Sequence, residues 1–284
     1  MVRLMKKGGR YLKGAALGKL GFCTSWAVSS HDDGPEWVQV VDVTLRLKNL
    51  PALFKGKRIV QASDLHCSRT VSGGYLKACI ERINRLEADI VVLTGDYITH
   101  DYYGRFRKKV VKLLSGIRSK YGVLACLGNH DYGLNGNDEL LAGQIVIELQ
   151  DSGVNVLRNK AIALSKGNER LWFVGLGDIW ADDFAPSRAF ENVRAGEPVI
   201  TLSHNPETVN LLHSHRTDIV LSGHTHGVGL GVRKEDGKHK ITIHNYFRGM
   251  YRVGGKKLYV NRGLGRHGKF LYNSRPEITV FNLC

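Results

Sequence analysis

The sequence lacks the cysteine pattern that several small-domain classes require. Its five cysteines are odd in number and include no Cys-x-x-Cys pair; they are Cys23, Cys67, Cys79, Cys126 and Cys284. Neither a finger-type zinc site nor a disulfide framework is therefore indicated. The pattern favours a reducing compartment, and we expect a cytoplasmic protein.

The chain also lacks long apolar runs and several well-known catalytic motifs. Glycines and Lys19 interrupt every apolar run near the N-terminus, whereas a signal peptide needs about 7 to 15 apolar residues and a membrane span about 20. No GxxxxGK[ST] phosphate loop and no GxSxG nucleophile elbow is present. Gly263, Gly265 and Gly268 match GxGxxG, but the chain ends before the ribose-binding acid expected about 20 residues later. We interpret that match as chance or a tight turn.

The positive charge is concentrated in two segments. The chain has 41 basic and 26 acidic residues and a formal net charge of +15. Residues 1–30 hold six basic and no acidic residues, whereas residues 233–275 hold twelve basic and two acidic ones. Such patches concentrate anionic partners, including phosphate esters, nucleic acid and acidic lipid headgroups. We therefore expect an anionic, phosphate-containing substrate.

Two basic segments also suggest contact with a membrane. Residues 1–30 and the amphipathic stretch from Arg105 to Lys120 are basic and free of acids. Such segments can bind peripherally at the inner face of an anionic cytoplasmic membrane. A solvated basic face is the alternative for residues 1–30, and a core-covering helix with a solvated basic side is the favoured interpretation of the Arg105–Lys120 stretch.

Short apolar runs predict the fold. Five of them are typical of buried strands, namely Arg58–Ser63, Ile90–Thr94, Gly122–Leu127, Pro198–Ser203 and Asp218–Ser222. After each of the first two runs, the apolar residues recur at helical spacing, which predicts helices that begin after Ser72 and at Arg105. More closely spaced strand patterns follow Asn155. We predict an α/β fold in which two mixed β-sheets pack face to face with helices on the outside.

We expect one domain and a basic arm. The domain is predicted to span residues 36–284, and the arm residues 1–35, because no linker or repeat divides the rest of the chain. The protein is expected to be a monomer.

Residue types that bind metals follow each of the five predicted strands. They are Asp64, His66, Asp96, Asn129, His130, His204, His224 and His226. Because ligands bind at the carboxyl ends of strands in open α/β sheets, we expect these side chains to converge. The set is large enough for two divalent ions, and mixed oxygen and imidazole ligands suit manganese, iron or zinc. The remaining histidines are predicted to be ordinary surface or core residues. His244 and His267 lie in the basic late segment and are predicted to be in a solvated loop, with contact to the substrate as the alternative.

In order along the chain, these fragments resemble the motif blocks of the calcineurin-like metallophosphoesterases. The matching blocks are Asp64-Leu65-His66, Gly95-Asp96, Gly128-Asn129-His130-Asp131, His204-Asn205-Pro206 and Gly223-His224-Thr225-His226. The flanking sequences ASDLH, NRLEADIVVLTGD, LSHNP, LYVNRGLG and RPEITVF resemble the branch that acts on membrane-associated or lipid-linked phosphates, which includes UDP-2,3-diacylglucosamine pyrophosphatase-like enzymes. The resemblance runs from about residue 38 to the C-terminus.

The resemblance implies a role for each residue. One divalent ion would be held by Asp64, His66, Asp96 and His226, and the second by Asp96, Asn129, His204 and His224. Asp96 would then bridge the two ions. His130 would protonate the leaving oxygen or stabilise charge on the phosphoryl oxygens, and Asp131 would accept a hydrogen bond from the His130 ring.

The resemblance predicts a dinuclear metal-dependent hydrolase of phosphodiester or pyrophosphate bonds, acting on a lipid-linked nucleotide sugar at a membrane surface. Manganese is the expected metal, with iron or zinc as alternatives. A soluble nuclease or cyclic nucleotide phosphodiesterase is a second hypothesis, although the chain lacks the interleaved aromatics of a single-strand binding platform. A non-catalytic metal-containing binding protein is a third, and the intact Asn129 and His130 argue against it.

The sequence departs from the family pattern at Thr99, at Asp131, where some members have glutamate, and in the segment Arg266–Phe270. Many members have GDxxD, whereas this chain has Gly95-Asp96-Tyr97-Ile98-Thr99. Thr99 thus replaces an acid that is not an expected ligand, so metal binding should survive while the tuning of neighbouring ligands changes.

Overall fold

The apolar runs of the chain form two six-stranded sheets and a separate two-stranded hairpin. The structure is a computed structural model that describes residues 35–101, 103–133, 136–235, 238–265 and 274–284. The arm predicted for residues 1–35 lies outside the described residues except at its last position, as does His267.

The helices and strands are short. In chain order the strands are β1 (Gln39–Leu45), β2 (Arg58–Ala62), β3 (Ile90–Thr94), β4 (Val123–Cys126), β5 (Val154–Val156), β6 (Lys160–Lys166), β7 (Glu169–Gly175), β8 (Val199–Leu202), β9 (Ile219–Ser222), β10 (Leu230–Glu235), β11 (Lys238–Ile243), β12 (Gly249–Val253), β13 (Lys256–Val260) and β14 (Glu277–Leu283). The α-helices are α1 (Gly73–Arg85), α2 (Arg105–Leu114), α3 (Glu139–Asp151) and α4 (Pro186–Phe190), and short 3₁₀-helices cover Pro35–Trp37, Ala52–Phe54, Asn129–Tyr132 and Pro206–Leu211.

Both large sheets are mixed. The first has the order β1-β14-β2-β3-β4-β5, and the second has the order β12-β13-β9-β8-β7-β6. Strands β2 to β5 run parallel to one another, as do β7, β8, β9 and β13. Antiparallel pairs join β14 to β2 in the first sheet and flank the parallel strands of the second.

Alternate side chains of each central strand enter different layers of the core. In β7, Phe173 packs between the two sheets, whereas Trp172 and Val174 pack on the outer face of the second sheet. In β3, Val92 faces the inter-sheet layer and Val91 faces the helices. Because both faces of each sheet are covered, the central strands read as continuous apolar runs. The predicted sandwich of two mixed sheets with outer helices is confirmed.

The predicted central strands agree with the observed ones to within a residue at each end. Ser72 caps α1 as predicted, since its hydroxyl accepts a hydrogen bond from the backbone N–H of Tyr75 at 3.2 Å. The helix predicted from Arg105 to Lys120 is shorter, because α2 stops at Leu114 and the N–H of Gly116 turns back to the carbonyl of Leu113.

Helix α3 was not predicted from the sequence. Its apolar residues are not confined to one stripe: Ile145 and Leu149 are buried, whereas Leu140 and Ile147 are 81% and 59% exposed. A helix without a clear apolar face gives a weak periodic signal. The side chain of Asp138 caps it by accepting from the N–H of Leu141.

Within the described residues, the longest α-helices span 13 residues. None of them is long and apolar enough to cross a bilayer.

The inter-sheet layer should dominate stability. Phe173 is fully buried there, so Phe173→Ala should lower the free energy of unfolding by about 3 to 5 kcal/mol through lost burial and a residual cavity. Urea denaturation measures the change. Leu140→Ala, at an exposed position of α3, is the matched control, and its free energy of unfolding should stay within about 0.5 kcal/mol of the parent's. Equal losses in the two variants would contradict this assignment of the core.

Candidate metal centre

Polar residues at the strand ends of both sheets lie close together. The parallel strands of each sheet end at a common edge, and the two edges meet across the sandwich. Gln61, near the end of β2, donates from Nε2 to the hydroxyl of Thr94 at the end of β3 and to the carbonyl of Ser222 at the end of β9, each at 3.0 Å. Three strand ends are thus joined by one buried amide.

The carboxylate of Asp96 lies between two imidazoles. Its Oδ2 is 3.4 Å from Nε2 of His66 and 3.1 Å from Nε2 of His204. Its other oxygen, Oδ1, accepts a hydrogen bond from the backbone N–H of His130 at 2.9 Å. One carboxylate oxygen therefore lies between two ring nitrogens, each from a residue predicted to bind a different ion.

A second carboxylate completes one side of the centre. Oδ1 of Asp64 lies 3.6 Å from Nε2 of His226 and 3.9 Å from Nε2 of His66. The two Nε2 atoms are themselves 3.1 Å apart. Nitrogen atoms and carboxylate oxygens this close to one another suit a shared cation, because the cation would accept their lone pairs and offset the carboxylate charge.

On the other side, buried polar atoms lack hydrogen-bond partners among the described residues. They include Oδ1 of Asn129 and Nε2 of His224. An unpaired buried acceptor costs about 1 to 3 kcal/mol, and a bound cation removes that cost. Together with Asp96 and His204, these atoms form the donor set predicted for the second ion. The residues present therefore fit two divalent ions.

The backbone is strained at these residues. Nine described non-glycine residues have positive φ, and five of them are predicted ligands: Asp64 (50°), His66 (48°), Asp96 (57°), His224 (74°) and His226 (50°). The left-handed region is unfavourable for residues with a Cβ. Such strain persists where surrounding structure overdetermines it, and it clusters at functional sites.

Two glycines allow the strand ends to approach closely. A Cβ on Gly128 would lie 2.3 Å from Oδ1 of Asp96 and 2.8 Å from Cγ of His204. Gly263 has φ of +78°, and a Cβ there would lie 2.6 Å from Cβ of Asp64. Gly263 thus belongs to a tight turn packed against a ligand, one of the two explanations expected for the GxGxxG match.

Backbone carbonyls and one hydroxyl orient the imidazole rings. Nδ1 of His204 lies 2.7 Å from the carbonyl oxygen of Thr94, and Nδ1 of His130 lies 3.1 Å from that of Thr99. Because a carbonyl only accepts, both rings carry their proton on Nδ1 and leave Nε2 for the centre. His66 differs, since its Nδ1 lies 3.2 Å from the hydroxyl oxygen of Thr99. The residue that departs from the family pattern thus contacts a predicted ligand directly.

Asp131 does not orient His130, and that prediction was wrong. Its fully buried carboxylate accepts from the backbone N–H groups of Asp96, Tyr97 and Gly128, each at 2.9 Å. Asp131 follows His130 directly, but the 3₁₀ turn aims the two side chains differently. Its role is to fasten the loops after β3 and β4 to each other, while the carbonyl of Thr99 orients His130.

Three residues near the centre were missed or misplaced by the sequence prediction. The ring of Trp180 stands edge-on to that of His224, with centroids 4.3 Å apart. His244, expected in a solvated loop, is only 8% exposed, and its ring lies 5.5 Å from that of His224. Asp178 is buried, and its Oδ2 lacks a hydrogen-bond partner among the described residues. The sequence could have indicated Asp178, because Gly177-Asp178 follows a predicted strand in the same way as Gly95-Asp96 does.

The charges of the centre are strongly coupled. Burial opposes ionisation of Asp96, but the imidazoles of His204, His130 and His66 hold its pKa well below the usual range. Burial likewise opposes protonation of His204, yet Asp96 and Asp64 raise its pKa well above the ordinary value. Burial and then the charge of His204 lower the pKa of His224. His224 therefore presents a neutral nitrogen lone pair, the form that binds a metal.

Known proteins resemble this chain over most of its length. The family profile described as Calcineurin-like phosphoesterase matches residues 57–228, a span that contains every predicted ligand. The UDP-2,3-diacylglucosamine pyrophosphatase LpxG of Chlamydia muridarum is 28% identical, with 90% of this chain and 92% of that protein covered. The phosphodiesterase YaeI of Escherichia coli is 30% identical, with 88% and 89% covered. An uncharacterized metallophosphoesterase of Bacillus subtilis, YkuE, is 29% identical, with 88% and 86% covered.

Removing the hydroxyl of Thr99 should weaken metal binding through His66. Loss of such an outer partner typically costs about 10 to 100-fold in metal affinity. Thr99→Val should therefore lower the affinity for Mn²⁺ by about 10-fold or more, measured by calorimetric titration of the metal-depleted protein. Thr99→Ser keeps the hydroxyl and serves as the control. Equal affinities in both variants and the parent would show that Thr99 does not hold the His66 ring.

Proposed function

The chain belongs to the calcineurin-like phosphoesterase family, and from this premise we propose that it hydrolyses the pyrophosphate bond of a lipid-linked nucleotide sugar at a membrane surface. As a member of that family, the protein is a metal-dependent hydrolase of phosphoester bonds with a dinuclear centre. The proposal concerns its substrate, its metal and the role of each residue.

The observation that carries the proposal is the position of Asp96 Oδ2 between Nε2 of His66 and Nε2 of His204, at 3.4 and 3.1 Å. Asp64, His66 and His226 would hold one ion, and Asn129, His204 and His224 the other. Two divalent ions held there would supply positive charge for the phosphoryl oxygens and would lower the pKa of a bound water. We propose manganese because it accepts carboxylate, amide and imidazole ligands together.

His130 is proposed as the group that serves the leaving oxygen. Its Nδ1 lies 3.1 Å from the carbonyl oxygen of Thr99, so we assign the other ring nitrogen, Nε2, to contact with the substrate. In its protonated form that nitrogen donates to a phosphoryl or leaving oxygen. Its backbone N–H also holds Oδ1 of Asp96, and this contact couples the position of the ring to the bridging carboxylate.

The pyrophosphate substrate is supported by the relatives and by the charge of the chain. The Chlamydia relative is named for a diacylated nucleotide sugar and is covered nearly end to end. Hydrolysis of such a substrate breaks one P–O bond of the anhydride and forms one from water, leaving two phosphate monoesters. The basic segment 233–275 would attract the doubly charged anhydride.

A soluble phosphodiester is the second candidate. The Escherichia coli relative carries the name phosphodiesterase, and the donor set does not distinguish the two kinds of bond. A purely binding role is disfavoured because Asn129, His130 and both histidines of the Gly223–His226 block are intact.

Substrate assays separate the candidates. The metal-depleted protein should regain activity with added Mn²⁺ and cleave UDP-2,3-diacylglucosamine in detergent faster than a generic aryl phosphodiester or a cyclic nucleotide. A preference for the soluble diesters would favour the second candidate. Absence of metal-dependent turnover on all three would contradict both.

His130→Asn should separate catalysis from metal binding. General acid catalysis of this kind contributes about 10² to 10⁴-fold, so turnover should fall by that order. Metal content, measured by plasma mass spectrometry, should stay at the level of the parent because His130 is not proposed as a ligand. His100→Asn is the matched control, since His100 is exposed and its ring lies 5.8 Å from that of His130. Loss of metal in His130→Asn would make His130 a ligand instead.

A further inference from the structure

Both ends of the β10–β11 hairpin are close in sequence to histidines of the candidate metal centre. Strand β10 begins four residues after His226, and β11 ends at Ile243, immediately before the buried His244. The backbone N–H of His244 bonds to the carbonyl of Gly229 at 2.9 Å and closes the base of the hairpin. Its two strands form a sheet of their own and join neither large sheet.

One face of this hairpin carries exposed apolar side chains. Leu230 pairs directly with Ile243, and Ile241 lies two residues before Ile243 on the same strand. Cross-strand partners and alternate residues share one face of a sheet, so all three lie on the same side. Their side chains are 64%, 77% and 78% exposed for Leu230, Ile243 and Ile241 respectively. An isolated two-stranded hairpin is marginally stable in water, and this apolar face is left without a covering element among the described residues.

The surrounding charge is positive. The hairpin sequence between the exposed apolar residues, positions 231–240, contains four basic and two acidic residues. Arg248 and Arg252 follow the hairpin closely and are exposed, and Met250 between them is 43% exposed. Apolar side chains combined with cations match the boundary between headgroups and acyl chains of an anionic bilayer.

We propose that the β10–β11 hairpin docks this protein onto anionic lipid bilayers, with Leu230, Ile241 and Ile243 entering the headgroup boundary. The inference rests on the proposed function, because it explains how a lipid-linked substrate reaches the centre. Since His226 and His244 flank the hairpin in sequence, docking through the hairpin would bring a bilayer near the residues of the centre.

A protein partner fits this surface less well. A standard protein interface uses about 20 to 30 residues on each side, whereas the hairpin strands together contain twelve residues, and three of their apolar side chains are described as exposed. The positive charge around it also opposes its pairing with a second copy of the same basic surface.

Vesicle binding tests the proposal on the full chain. Phosphatidylglycerol–phosphatidylcholine vesicles should sediment the protein, and pure phosphatidylcholine vesicles should do so far more weakly. The triple variant Leu230→Ser, Ile241→Thr, Ile243→Thr should lose at least about 10-fold in partitioning, because it removes apolar contact area. The pair Leu140→Ser, Ile147→Thr on α3 is the matched control and should partition as the parent does.

A second variant gives a signal even if the triple variant folds poorly. Ile241→Trp should show a blue shift of its added fluorescence on anionic vesicles, whereas Ile147→Trp should not. Hydrolysis of a soluble aryl phosphodiester should be the same in Ile241→Trp and the parent.

Three results would overturn the proposal. One is unchanged vesicle binding by the folded triple variant, with loss of binding on deletion of residues 1–30. Another is a concentration-dependent dimer that the triple variant abolishes without any vesicle binding by the parent. The third is a shift of Ile147→Trp instead of Ile241→Trp. Hydrolysis of the lipid pyrophosphate in detergent tests the proposed function separately, since no bilayer is present in that assay.

Discussion

The position of the Asp96 carboxylate is the constraint on which the rest of the centre depends. Its Oδ2 stands 3.1 Å from Nε2 of His204 and 3.4 Å from that of His66, while Oδ1 is fixed by the N–H of His130. Its own backbone N–H is held by Asp131. Strands of both sheets must therefore end within contact of one side chain, and this explains the left-handed backbone of the ligands.

Apolar burial in the two-sheet sandwich offsets the free-energy cost of bringing these strand ends together. Both faces of each sheet are buried against apolar layers, and that burial offsets the strain and the desolvation of charged groups at the strand ends. Buried polar contacts then align the two sheets near the centre, as when Gln61 of β2 donates to the carbonyl of Ser222 on β9. The predicted ligands thus lie beside buried core layers, which favours precise positioning of their side chains.

The errors of the sequence prediction have physical causes. Asp131 was expected to orient His130 because the two are adjacent in sequence, but a 3₁₀ turn sends their side chains in different directions. His244 was expected in a solvated loop because its segment is basic, whereas the base of the hairpin folds it against His224. Helix α3 gave no clear period because it carries apolar residues on its exposed side as well.

The sequence by itself determined the central strands and the residue types at their carboxyl ends, because strand burial and metal ligation each demand particular side chains at fixed positions. It also identified the family, since the motif blocks occur in order along the chain. Only the tertiary structure decided which atoms meet: that Thr99 contacts His66, that Asp131 fastens two loops, and that Trp180 and His244 flank His224. These contacts join residues from different loops, and their geometry depends on how the two sheets pack rather than on any local pattern.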